Sequence, residues 1–199
     1  IGDVVITGNT GVVVRSPGGW TYSQIHSVAP SSGQRGTRVV IRGIALLAGG
    51  AAVDTVRLAG VPVVSVTSAT STAIEVVARG HSVDINTLGS VEIVADNEQT
   101  VVRADSFTYN VAGAINVVSP ISGQHGTRVT ITGVDLFGYG TSITSVTIAN
   151  VEVDEITVST NSRLEVVAGF SSAAVAGDIM LTSNTGSTVI LADGVARNE

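Results

Sequence analysis

The side chains of this sequence that are best suited to acid–base chemistry or to metal ligation are three histidines, His26, His81 and His125. Imidazole titrates near neutral pH and is a common metal ligand. A catalytic or metal site needs several such groups in one pocket, and the sequence has no cysteine to join them. We therefore expect polar histidines of loops or of the surface, and a chain that is not an enzyme and has no catalytic, metal or cofactor site.

The segment Gly33-Gln34-Arg35-Gly36-Thr37-Arg38 has the glycines and arginines of an anion-binding loop. A phosphate-binding loop of the P-loop type also carries a lysine and leads into a helix. This segment lacks the lysine, and a run typical of a strand follows it. The sequence therefore predicts a turn between strands rather than an anion site.

Two acidic clusters could supply oxygen ligands for calcium, namely Asp96, Asn97 and Glu98, and Glu152, Asp154 and Glu155. Calcium takes about six to eight oxygen ligands at defined spacing. Neither cluster recurs at the repeat spacing described below. We expect solvated loops and strand faces at these acids.

Charge and length limit the classes of partner. The chain has 199 residues and a net charge of −6, and all 10 of its basic residues are arginine. Nucleic-acid binding needs clustered positive charge, so we expect no nucleic-acid partner. No stretch approaches the roughly 20 apolar residues of a membrane span. The first residues are typical of a strand and not of a secretion signal, which predicts that the chain is cut from a longer one.

The sequence repeats itself. Residues 25–39, IHSVAPSSGQRGTRV, recur as residues 115–129, INVVSPISGQHGTRV, at a spacing of 90 that holds through residues 74–78 and 164–168. At this spacing His26 corresponds to Asn116, and His125 to Arg35, so these histidines are not repeated. A later part of the unit occurs three times, at 2–9, 89–97 and 177–184. The chain is therefore a tandem repeat.

The repeat unit has the pattern of a β-protein. Runs rich in Val, Ile and Thr alternate with clusters of Gly, Ser, Asn and Asp, which is typical of strands joined by turns. Residues 37–42 and 127–132 alternate polar with apolar, so one face of each strand should be buried. Hairpins should reverse at residues 96–98 and 184–186. About seven short strands in about 90 residues indicate an immunoglobulin-like sandwich.

Two charge positions also recur, as Arg38 and Arg128 and as Glu75 and Glu165. A cross-strand charge pair on the outer face is the interpretation we favour for them.

The repeated pattern I-x-x-V-x-P-x-S-G-x-x-G-T-x-V-x-I-x-G is followed by Leu46 or Leu136. A closing aromatic-Thr-Tyr strand follows in the first two units. This pattern resembles the IPT/TIG domain family. The resemblance implies all-β, tandem immunoglobulin-like sandwiches of the E-set type, as in plexins, Rel-type transcription factors and microbial surface proteins. In the last unit residues 194–197 replace the aromatic strand, so either its final turn packs differently or the next module differs.

The repeats set the expected boundaries. Residues 1–24 are read as the C-terminal strands of a preceding domain, and residues 25–112 and 113–199 as two complete domains. Three positions separate Tyr22 from Ile25, whereas six separate Tyr109 from Ile115 and include Gly113. The first junction should therefore be stiffer than the second, which should be bent or mobile unless lateral packing fixes it.

The predicted function is structural: a spacer repeat of a large cell-surface or extracellular filament or adhesion protein. Its partners would be neighbouring domains of the same chain and other protein chains in an assembly. Two alternatives remain, a surface module that binds glycan or protein, and a Rel-like dimerisation and DNA-binding domain, which the missing lysines oppose.

Overall fold

The computed structural model describes residues 1–81, 84–173 and 176–197. By their contacts the residues form two compact units. The first contains Ile1–Ser31, Val39–Val76 and Leu88–Phe107, and the second contains Ser32–Arg38, Val77–Thr87 and Thr108–Glu199. No helix with the length and hydropathy of a membrane span occurs in the described part of the chain.

The described residues form a short N-terminal hairpin and two series of strands that correspond one to one. The hairpin is β1 (Gly2–Thr7) and β2 (Val13–Trp20). The first series is β3 (Gln24–Ala29), β4 (Ser32–Gly33), β5 (Arg38–Ile44), β6 (Val53–Leu58), β7 (Val61–Pro62), β8 (Ser65–Ala69), β9 (Ala73–Val77), β10 (Thr87–Ala95) and β11 (Thr100–Tyr109). The second series is β12 (Ala114–Ser119), β13 (Ser122–Gly123), β14 (Arg128–Val134), β15 (Ile143–Ile148), β16 (Val151–Glu152), β17 (Glu155–Ser159), β18 (Arg163–Val167), β19 (Ala176–Ser183) and β20 (Thr188–Arg197).

The second series forms a two-sheet sandwich. One sheet has the order β12-β14-β18-β17 and the other the order β13-β20-β19-β15-β16. The alternate apolar residues of both sheets meet in one core, because successive side chains of a strand point to opposite faces. This core contains Ile115, Val129, Ile131, Leu136, Val146, Leu164, Ile179 and Leu181.

The first series repeats this order of strands, as β3-β5-β9-β8 and β4-β11-β10-β6-β7. Ile41 and Ile74 on one sheet and Leu58 and Ile93 on the other are fully buried. The prediction of an all-β fold of immunoglobulin-like sandwiches is confirmed. The predicted hairpin reversals also occur, between β10 and β11 and between β19 and β20.

The last strand is present, although its aromatic residues are missing. Strand β20 continues to Arg197 and pairs in parallel with β13, Ser122 opposite Ala196. Strand β11 pairs with β4 in the same way, Ser32 opposite Thr108. Ladder hydrogen bonds use backbone groups, so the pairing does not need the aromatic side chains. Of the two alternatives given for the last unit, a differently packed final turn does not occur in the backbone, because β20 pairs with β13 as β11 pairs with β4.

Two glycines of the repeat motif lie inside strands. Gly43 and Gly133 belong to β5 and β14, each opposite the residue where the partner strand bulges, Ile25 or Ile115. A Cβ at Gly43 would lie 2.1 Å from the Gln24 carbonyl oxygen. The chain therefore needs glycine there because another backbone approaches closely.

We predict that Leu136→Ala lowers the free energy of unfolding by about 2–5 kcal/mol, because it opens a cavity in the core. Leu136 is fully buried. Denaturant unfolding followed by circular dichroism measures the loss. Val117→Ala, at a strand position that is 58% exposed, is the control and should cost about 0.5 kcal/mol or less. An equal loss in both variants would contradict the core assignment.

Candidate functional site

The three histidines lie apart from one another, and each has different neighbours. The His26 backbone oxygen accepts a hydrogen bond from Arg103. The His81 ring meets the Tyr109 ring edge-on at 5.6 Å. His125 Nε2 lies 2.8 Å from Asp154 Oδ2. No group of three or more His, Asp or Glu side chains that could hold a metal occurs among the described residues.

In each acidic cluster a carboxylate accepts hydrogen bonds from nearby groups of the protein. Asp96 accepts hydrogen bonds from the backbone N–H of Ala51 at 3.0 Å and of Ala52 at 3.2 Å. The Glu152 carboxylate accepts from the Ser145 hydroxyl at 3.0 Å and from the Val146 N–H at 3.3 Å. Acceptors used in this way fix loops and strand ends.

The predicted charge pair between Arg128 and Glu165 is wrong. Arg128 lies opposite Val167, and Glu165 lies opposite Thr130, two positions further along β14. Glu165 forms its ion pair with Arg163 on its own strand. The outer face thus carries a charge pair within β18 instead of the predicted pair across strands.

The segment Gly33–Arg38 forms the turn that the sequence predicted. The Gln34 N–H donates to Thr37 Oγ1 at 3.0 Å, and the Thr37 N–H donates to the Gln34 carbonyl at 3.2 Å. Gly36 has a φ of +83°, a conformation that glycine adopts at little cost. The Gly36 N–H donates to the Ala78 carbonyl at 3.0 Å. We call residues 32–38 the first loop.

Within the second compact unit the first loop binds a turn of the protein itself. The Arg38 N–H donates to the Thr185 carbonyl, and the Thr188 N–H donates to the Arg35 carbonyl, both at 2.9 Å. Gln34 Nε2 donates to the Thr188 carbonyl at 2.9 Å. The N–H donors of this loop that could have bound an anion therefore donate to backbone carbonyl groups instead. We call residues 184–188 the second turn.

Gln34 is the central residue of this contact. It is 3% exposed, and its Oε1 accepts a hydrogen bond of 2.9 Å from the Gly113 N–H. A buried side-chain amide needs partners for both of its ends, and Gln34 has one at each. Sequence reasoning missed this role. The available signal was the recurrence of glutamine at 34 and 124 beside a position that changes from Arg35 to His125.

Gly113 has a packing role. A Cβ at this residue would lie 2.2 Å from the Asp135 carbonyl oxygen. Close approach therefore explains the glycine, whereas the sequence had suggested conformational freedom. The mobility of the junction itself stays a prediction.

Residues 122–128 form a second copy of the loop, which we call the second loop. The Gln124 N–H donates to Thr127 Oγ1 at 2.9 Å, and the Gly126 N–H donates to the Ala168 carbonyl at 2.9 Å. Gly126 has a φ of +81°. Unlike Gln34, Gln124 is exposed. The two loops thus share one conformation in two different surroundings.

Tyr109 is the ionisable group that burial changes most among those with a resolved shift. It is 1% exposed. Burial disfavours the phenolate and raises the pKa of Tyr109 to about 12, although a backbone hydrogen bond from Arg79 and the positive charge of Arg79 act in the opposite direction. The neutral phenol is therefore the form that the fold prefers.

Comparison with known families identifies both repeats. The model of the IPT/TIG domain matches residues 23–109 and 114–191. The chain belongs to the IPT/TIG domain family. This family is immunoglobulin-like and non-catalytic.

Solved structures similar to this chain include parts of larger proteins. SGBP-B from a complex xyloglucan utilization locus in Bacteroides uniformis is 20% identical over 87% of this chain and 49% of its own, with a TM-score of 0.35. The full extracellular region of plexin A4 is 20% identical over 89% of this chain and 18% of its own, with a TM-score of 0.47. This IPT/TIG chain thus spans less than half of either protein. A comparison with curated proteins finds no match.

We predict that Gly36→Ala destabilises the chain by about 1–3 kcal/mol more than Gly126→Ala. Both residues have the same positive φ, so both variants carry the same backbone strain. A Cβ at Gly36 would lie 2.6 Å from the Gly186 carbonyl oxygen, whereas at Gly126 it would meet no described atom within 4 Å. The difference therefore measures the lost loop contact.

Thermal and denaturant unfolding of the two variants tests this prediction. Gln34→Ala and Gln124→Ala form a second matched pair, in which the loss should be confined to Gln34→Ala because only that glutamine is buried. Equal losses within each pair would show that the first loop is not held by the second turn.

We also predict that stability falls as the pH rises from about 10 to about 12. The pKa of Tyr109 is higher in the folded chain than its ordinary value of 10, so its contribution is fully present below pH 10 and is lost as the pH passes through the folded pKa. Unfolding curves at stepped pH would measure the fall. Tyr109→Phe should flatten it, whereas Tyr22→Phe, at a 77% exposed position, should leave it unchanged.

Proposed function

We propose that this chain is a non-enzymatic spacer segment of a large cell-surface or extracellular filament or adhesion protein. The observation that carries the proposal is the set of hydrogen bonds between the first loop and the following repeat. A loop of one repeat is held at 2.9 Å by backbone groups of residues 113, 185 and 188 of the next. Such a contact gives successive repeats a defined neighbour, as an array that provides length requires.

The N-terminal hairpin fits the same proposal as the end of a preceding domain. In the repeat alignment Val4 and Ile6 correspond to Val91 and Ile93 of β10. The β10 residues are fully buried, whereas Val4 is 37% and Ile6 63% exposed. A two-stranded hairpin is at best marginal in water by itself. An apolar face of this kind is suited to completing the core of a sandwich.

The hairpin also has an exposed aromatic pair. This pair fits the end of a preceding domain better than it fits a glycan-binding surface. Trp20 and Tyr22 are 57% and 77% exposed, and their rings meet edge-on at 6.2 Å. Their counterparts Phe107 and Tyr109 are core residues. The pair therefore has the character of core residues whose own sandwich is incomplete.

Localisation and ligand binding together test the proposal. Immunogold labelling of the source cells with an antibody against this chain should mark extracellular or cell-surface structures. Isothermal titration with soluble polysaccharides should show no saturable heat. Label inside the cell would overturn the proposed location, and saturable binding that Trp20→Ala abolishes would replace the spacer with a glycan-binding module.

A further inference from the structure

The two loops of the repeats have almost the same sequence. Residues 33–38 are GQRGTR, and residues 123–128 are GQHGTR. Each loop has the same internal hydrogen bond, from the glutamine N–H to the threonine hydroxyl three residues later, at 3.0 Å in the first loop and 2.9 Å in the second. The loops themselves therefore differ too little to decide which neighbour is bound. A choice of neighbour has to come from the surface that receives the loop.

Three small residues of the second repeat lie where the first loop is received. A Cβ at Gly138 would lie 2.9 Å from Gln34 Nε2, and a Cβ at Gly186 would lie 3.0 Å from the Gly36 carbonyl oxygen. Ser187 is 1% exposed, and its hydroxyl donates a hydrogen bond of 2.7 Å to the Gly138 carbonyl. We call Gly138, Gly186 and Ser187 the receiving surface. It leaves no space for larger side chains beneath the loop.

The backbone conformation does not explain the two glycines of the receiving surface. At the corresponding positions of the first repeat the residues are larger, namely Ala48, Glu98 and Gln99. The φ of Ala48 is +47° where Gly138 has +53°, and the φ of Glu98 is +64° where Gly186 has +84°. Residues with a Cβ thus adopt the same left-handed conformation in the first repeat. The glycines of the second repeat are therefore explained by the close approach of the loop.

A collision at Gly138 would be costly because of the atom that it displaces. Gln34 Nε2 is the end of a flexible side chain, but the side chain is buried and its two ends are bonded, to the Thr188 carbonyl and to the Gly113 N–H, both at 2.9 Å. Moving Gln34 breaks these bonds and leaves a buried amide without partners. Clashes of this kind are one of the ways in which proteins reject wrong partners.

We propose that the contact between repeats is selective, and that the three residues of the receiving surface determine its specificity. They leave room for a loop of the type Gly-Gln-x-Gly-Thr-Arg. The larger residues at the corresponding positions of the first repeat, Ala48, Glu98 and Gln99, fill that room and exclude such a loop in the same pose. The two repeats are therefore not interchangeable, and these three positions set which repeat follows which.

The inference rests on the proposed function, because the choice of a neighbour matters in an array of repeats. The two can fail separately. Label at the cell surface, together with a loop contact that tolerates the residues of the first repeat, would keep the spacer function and overturn the selectivity. Label inside the cell, together with a loop contact that those residues abolish, would do the reverse.

Amide hydrogen exchange of the full chain, followed by NMR, tests the selectivity. The reporter is the Arg38 N–H, which donates to the Thr185 carbonyl at 2.9 Å. Gly138→Ala, alone and combined with Gly186→Glu, introduces residues of the first repeat and should speed exchange of this N–H by about tenfold or more. The Gly126 N–H, bonded to the Ala168 carbonyl within the second repeat at 2.9 Å, should keep its rate, whereas a global loss of stability would speed both. Gly186→Ala gives the same test if Gly138→Ala does not fold.

Gly60→Asn is the matched control. Gly60 has a φ of +81°, a Cβ there would meet no described atom within 4 Å, and its counterpart Asn150 has a φ of +62°. This exchange of residues between repeats should leave the rate at Arg38 unchanged.

A double-mutant cycle of Gly138→Ala with Gln34→Ala isolates the collision with Gln34. A Cβ at Gly138 would also approach Ser187 Oγ, but that collision is present with either residue at position 34 and cancels in the cycle. Gly138→Ala should therefore cost less stability in the Gln34→Ala chain than in the unchanged chain. Additive losses, or unchanged protection of the Arg38 N–H in the variants of the receiving surface, would overturn the proposal.

Discussion

The structure depends on burying the apolar faces of two sheets against each other. No disulfide can assist, since the chain has no cysteine. In β14 the buried residues Val129 and Ile131 alternate with Arg128, Thr130 and Thr132. The burial of such side chains supplies the main stabilising free energy. Within one of these sheets β14 approaches the backbone of β12 beside the β12 bulge, and at Gly133 a Cβ would lie 2.0 Å from the Ala114 carbonyl oxygen.

A second constraint arises where polar groups are buried. Gln34 loses its water when the second turn covers the first loop, so its amide must find protein partners at both ends. Gly113 and Thr188 supply them. The cost of an unpaired buried amide makes this contact specific in register, since sliding the turn by one residue would leave Gln34 facing the wrong backbone group.

Much of the fold could be predicted because it follows from local pattern. Alternation of β-branched and polar residues placed the strands, and the 90-residue spacing showed that the pattern was used twice. The roles of Gly43 and Gly133 could not be predicted in the same way, because they depend on a carbonyl of the neighbouring strand. The prediction of a cross-strand charge pair between Arg128 and Glu165 was wrong for a related reason. Sequence gives the residues of a strand but not its register, and a shift of two positions separates Arg128 from Glu165.

The contrast between Gln34 and Gln124 shows a limit of a different kind, because one local sequence occurs in two surroundings. Hydrogen bonds exchanged with water contribute little net free energy, so a loop of this kind binds strongly only where the partner turn is held nearby. The covered loop has that advantage, since its partner belongs to the same chain and has a high effective concentration.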